Sequence, residues 1–129
     1  MSPSAIVRAD GLFEAALGLV LIVGAATGWL DSGDFPSPVG TALIVVVGVG
    51  LIALGAILWR VATGAVSQLL RHLAVGNSVS AAAAIVWRVA AEGFSDAGSA
   101  IVLVTAGGLL ALAAVQLAAT PMAGRALRR

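Results

Sequence analysis

Residues 39–59 form an apolar run without a single charged side chain. About 20 such residues, rising 1.5 Å each, cross a hydrocarbon core of roughly 30 Å. A soluble surface helix buries one stripe and turns the other to water, so a run apolar on all sides needs a large core or a bilayer. The chain has 129 residues, room for one domain, and is 60% hydrophobic and 10% charged. A domain this small leaves much of its surface exposed and cannot cover that much carbon in water. A lipid bilayer is the solvent such a sequence expects.

Three further segments extend the pattern to an all-α, up-down bundle of four transmembrane helices, predicted over 5–30, 39–59, 68–91 and 97–119. The first carries only Glu14 as a charge between Leu12 and Leu30, and its start is marked by Ser2 as a cap and Pro3 in the first turn. The fourth is as free of charge as the second. The third is expected to reach spanning length only by taking in Arg71, His72 and Arg88, with the arginines snorkelling to the interface. A re-entrant or soluble hairpin is the alternative there. The first segment is read as a retained helix and not a cleaved signal peptide, because its apolar run is long and Asp10 and Glu14 offset Arg8.

The connections are short. Asp31-Ser32-Gly33-Asp34-Phe35-Pro36-Ser37-Pro38 is turn chemistry, Thr63-Gly64 breaks the second link, and Glu92-Gly93-Phe94-Ser95-Asp96 forms the third. Short links make consecutive helices antiparallel neighbours. Arg8, Arg60, Arg71, Arg125, Arg128 and Arg129 then fall on one side, and only Arg88 falls on the other, with Asp31, Asp34, Glu92 and Asp96. The positive-inside rule puts both termini in the cytoplasm, and Trp29, Trp59 and Trp87 near the interfaces.

All seven basic residues are arginine, a usage that fits a GC-rich genome. A net charge of +1 lacks the basic face that nucleic acid demands. Without cysteine there is no thiol chemistry or disulfide, and one histidine cannot supply both axial ligands of a membrane haem. The chain contains no phosphate loop, nucleophile–base pair or metal-spaced ligand set, so no catalytic residue, metal or cofactor is expected.

The polar residues inside the spans are the candidates for function. A carboxyl at the depth of Glu14 must be paired, protonated or facing a wet cavity. Asp10 lies one turn earlier on the same face, flanked by Gly11 and Gly18, while Arg8 projects elsewhere. On the third helix, Asn77, Ala81, Ala84 and Arg88 share a stripe, and counting from the helix starts puts Asn77 at the depth of Glu14. A Glu14–Asn77 hydrogen bond is therefore expected. With Gln116 on the fourth helix, the candidate intramembrane cluster is Arg8, Asp10, Glu14, Arg71, His72, Asn77 and Gln116. It can serve as polar glue or line a cavity for a proton, ion or small polar ligand. Arg88 is expected to pair with Glu92, and Gly107, Ala111, Ala114 and Ala118 form a ridge for close packing.

Arg8-x-Asp10 with Gly18, Gly76-Asn77, Gln116 and the Arg128-Arg129 tail resemble a group of small bacterial four-span membrane proteins of uncharacterised function, loosely similar to the DoxX-like families. That resemblance implies the fold, the bacterial inner membrane and, through DoxX, a quinone-linked redox role. The chain is also similar in length, span count and first-helix glutamate to the small multidrug resistance transporters. It lacks their pocket aromatics and their tryptophan–glycine signature. Three functions follow as expectations: an accessory subunit held among copies or larger partners in the bilayer, a small oligomeric proton-coupled transporter using Glu14, or the redox component.

Overall fold

The computed structural model describes residues 1–63 and 66–126, apart from the side chains of Val66 and 122–126. Gly64 and the Arg128–Arg129 tail lie outside them, as does the side chain of Arg125. The described chain is all-helical: α1 Pro3–Thr27, α2 Thr41–Val61, α3 Val66–Ala90 and α4 Asp96–Ala126. The end holding the start of α1 and the close of α4 is termed proximal. The other, closed by the 28–40 and 91–95 links, is distal.

Local chemistry sets the ends. Ser2 caps α1 by accepting from the Ala5 amide at 3.2 Å, and Pro3 opens the helix, where its missing N–H costs nothing. The helix stops at Thr27, short of the predicted 30, because Gly28 turns left-handed at φ 71°. The chain then folds back, the Leu30 amide donating to the Gly24 carbonyl at 3.0 Å, and Leu30 occupies the space a side chain at 24 would need. At the far end α4 continues through Pro121, past the predicted stop at 119. A proline forfeits one helical bond but has a helical φ, so it need not end a helix.

Helices α2, α3 and α4 are long and apolar enough to cross a membrane. The sequence expectation was otherwise, with the first segment standing unaided and the third depending on its ends. Helix α1 matches them in length but carries Arg8, Asp10 and Glu14 in its first half, and it is not in that set.

Helix α1 packs along α2, and α3 along α4; α1 also meets α4 and α3. Among the described residues α2 comes close to neither α3 nor α4, so the expected neighbour relation between α2 and α3 does not hold. The reason is glycine. A Cβ on Gly11 would stand 2.8 Å from the Gly55 carbonyl oxygen, and one on Gly48 would stand 2.8 Å from that of Gly18. Two glycines seven residues apart on each helix let the α1 and α2 backbones touch, drawing α2 to the side of α1 away from α3. The small ridge Gly107, Ala111, Ala114 and Ala118 is exposed; α4 instead turns Ala106, Leu109, Ala113, Gln116 and Ala119 inward.

Candidate functional site

Two clasps hold the helical hairpins together. The distal one is made by the links. Ser95 caps α4, its hydroxyl accepting from the Gly98 amide at 3.0 Å while donating to Asp34 Oδ1. Asp34 Oδ2 accepts from the Asp31 amide at 2.8 Å, and the Asp34 carbonyl accepts from the Ser95 amide at 3.2 Å. The Ser95 hydroxyl, and after it the Asp31 amide, hold the Asp34 carboxyl below its ordinary range, because both bonds favour the ionised form. Phe35 stacks on Trp87 with centroids 6.2 Å apart, and Phe94 meets Trp87 edge-on at 4.8 Å. Arg88 lies over the Phe94 ring at 5.3 Å; the expected partner, Glu92, is exposed.

The proximal clasp is the polar centre. Asp10 on α1 is 1% exposed and Gln116 on α4 is 0% exposed. Gln116 Nε2 donates to Asp10 Oδ2 at 2.7 Å; Asn77 Nδ2, on α3, donates to Asp10 Oδ2 at 3.1 Å and to Gln116 Oε1 at 3.2 Å. One carboxyl oxygen thus ties three helices, which is strong glue where no water competes. Asp10 Oδ1 is buried without a partner.

The seven predicted residues part company here. Asp10, Asn77 and Gln116 come together. Glu14 does not join them, and the expected Glu14–Asn77 bond is replaced by Asn77 to Asp10. Level helix starts would put Asn77 beside Glu14; the Asn77–Asp10 bond shows instead that α3 begins about one turn, ~6 Å, further toward the proximal side. Arg8 leans over the Trp59 ring of α2 at 5.2 Å, with its Nε unbonded. Arg71 and His72 are exposed on α3 and take no part.

Glu14 instead turns into a groove of about 440 Å³ between α2 and the α3–α4 pair. It is 6% exposed, and among the described residues no hydrogen bond reaches its carboxyl. Walls come from Leu17 and Leu21 of α1, Leu43 through Leu54 of α2, and Ile101 through Leu109 of α4. Ser80 and Thr105 add hydroxyls, and Phe35 and Trp87, the latter with an indole N–H, close the distal end. Thr105 spends its hydroxyl on the Ile101 carbonyl at 2.7 Å. Residue spacing could not reveal this groove, since it exists only because α2 stands away from α3 and α4.

Among the described residues no group of three or more His, Asp or Glu could hold a metal ion. A scan against protein-family models finds no match, and searches of curated proteins and of solved structures find none either.

Proposed function

We propose that this chain is a four-span integral membrane protein of the bacterial inner membrane, with both termini cytoplasmic, serving as a non-catalytic accessory subunit among copies of itself or larger membrane partners. The observation that carries this reading is the Asp10–Asn77–Gln116 triad, whose three mutual hydrogen bonds join α1, α3 and α4. Support for insertion comes from three helices apolar enough to span and from the exposed apolar side chains of α2, including Leu43, Val46, Val49 and Ile57. In lipid these need no cover. Orientation rests on the arginine bias and on Asp31, Asp34 and Glu92 in the distal links. The DoxX-like resemblance agrees with this placement.

Purification from native membranes in mild detergent tests the reading. Recovery with further copies or a larger partner is expected, and recovery as a lone monomer contradicts it.

A second reading, a small proton-coupled carrier, is favoured by one observation: the Glu14 carboxyl lies free on the groove. Proton release on adding candidate substrates should then occur in the natural protein and fail in Glu14→Gln. Equal release from both sinks it.

A further inference from the structure

The proximal end of the α1–α2 seam carries a cation without a counter-charge. Arg8 is half-buried, its guanidinium over the Trp59 ring at 5.2 Å and its Nε without a hydrogen-bond partner. Among the described residues no carboxylate faces it. Asp10 lies about 160° away around α1 and is bonded to Asn77 and Gln116, and Glu14 lies about 120° away on the groove. Asp31, Asp34, Glu92 and Asp96 belong to the distal end. Arg60 and Arg71, at the proximal end with Arg8, are exposed and add only positive charge.

Depth and surroundings specify what completes the pair. From Arg8 to the end of α1 at Thr27 is about 28 Å, and from Trp59 back to the start of α2 at Thr41 is about 27 Å. Both match a hydrocarbon core of roughly 30 Å, so the stacked pair stands where acyl chains give way to headgroups. Leu12 and Leu19 fall within about 40° of Arg8 on α1 and are 57% and 56% exposed, an apolar track leading from the guanidinium into the core. An anion fitted to this place therefore carries an acyl chain. The guanidinium is a planar fork able to take two phosphate oxygens at once. An ammonium in the headgroup would find no carboxylate here and would meet the repulsion of Arg8 and Arg60.

We propose that Arg8, steadied by Trp59, binds the phosphate of an anionic phospholipid in the leaflet at the proximal end, with an acyl chain along Leu12 and Leu19. This rests on the membrane insertion proposed above. Arg88 is a control built into the chain: it too lies over an aromatic ring, Phe94, with an unbonded Nε, but at the end that holds the exposed carboxylates.

The test uses the protein in vesicles of phosphatidylcholine brominated high on the acyl chain, with Trp29→Phe and Trp87→Phe leaving Trp59 as the sole indole. Bromine quenches Trp59, and replacing part of that lipid with unbrominated phosphatidylglycerol relieves the quenching. Relief by unbrominated phosphatidylcholine is the reference. Phosphatidylglycerol should win the place beside Trp59 by about fivefold, the worth of one cation at a membrane surface. The preference should be lost in Arg8→Gln, kept in Arg8→Lys, and unchanged in Arg71→Gln and Arg88→Gln.

Equal relief by the two lipids, or a preference that survives Arg8→Gln, would overturn the proposal. So would its loss in Arg8→Lys, which ties the effect to side-chain shape and not to charge. An equal loss in Arg71→Gln would reduce the site to the diffuse field of the proximal end. Phosphatidylethanolamine or oleate relieving the quenching as well as phosphatidylglycerol would refute the anionic phosphate head. Alkaline carbonate washing separates the two levels: protein stripped from membranes refutes insertion itself, whereas retained protein without a lipid preference refutes only the site.

Discussion

Replacing Asp10 by alanine removes the one oxygen that joins α1 to both α3 and α4. Two hydrogen bonds are lost, from Asn77 at 3.1 Å and Gln116 at 2.7 Å. Side-chain hydrogen bonds inside membranes average about 0.6 kcal/mol and reach about 1.7. The pair is therefore worth ~1–3 kcal/mol. Gln116 Nε2 is then left without its acceptor, whereas Asn77 Nδ2 keeps Gln116 Oε1, which adds ~1 kcal/mol for a single stranded donor. Asp10→Ala should cost ~2–4 kcal/mol. Asp10→Asn can present its carbonyl oxygen to both donors and so keeps both bonds, but its amide then takes the buried place of the partnerless Oδ1, so by the same accounting it should cost ~1–2 kcal/mol, less than the alanine change. Unfolding in mixed micelles, followed by tryptophan fluorescence, gives both values. A double-mutant cycle of Asp10→Ala with Gln116→Ala isolates the pair and should show coupling of ~1 kcal/mol. Additive single losses, or an asparagine variant as weak as the alanine variant, would refute the reasoning.

Three other outcomes follow from the geometry. Gly48→Val should weaken the fold by ~1–3 kcal/mol, since its Cβ meets Gly18; Gly76→Ala, where nothing lies within 4 Å, should be neutral or stabilising by up to ~1 kcal/mol, both read by the same unfolding assay. Asp34 is held ionised by its folded partners, so its contribution is fully present above the ordinary aspartate range near 3.9 and is lost as pH falls below it. The stability difference between the natural protein and Asp34→Asn should thus stay constant from neutral pH to about that value and shrink further down; a difference that changes between pH 5 and 8 contradicts this assignment. Trp59→Leu should free the Arg8 guanidinium and cost ~0.5–1 kcal/mol, and Arg8→Gln should cost no more once Trp59 is gone.

Much of the architecture is legible in the residues: length and lack of charge place α2 and α4, and Ser2 with Pro3 starts α1. The inward stripe of α3 was readable too, since Asn77 and Ala81 are buried and Ala84 and Arg88 half-buried. Partner choice was not. Which carboxyl Asn77 meets depends on how far one helix slides against another, and spacing within a helix carries no such information. The glycine seam does have a signal in the sequence: Gly11 and Gly18 on one helix, Gly48 and Gly55 on the next, both pairs two turns apart. Once that seam turns α2 away, the groove and the isolation of Glu14 follow. Ser95 and Asp34 read as turn residues, and only the fold makes them a clasp.

The central claim, a four-span bundle with both ends cytoplasmic, is open to a clean labelling experiment because the chain has no cysteine. Single substitutions Ser32→Cys, Thr63→Cys and Glu92→Cys put one thiol on each exposed link. In intact spheroplasts a membrane-impermeant maleimide should label the first and third at once and the second only after permeabilisation. Labelling of Thr63→Cys from outside, or protection of Ser32→Cys, would contradict the account.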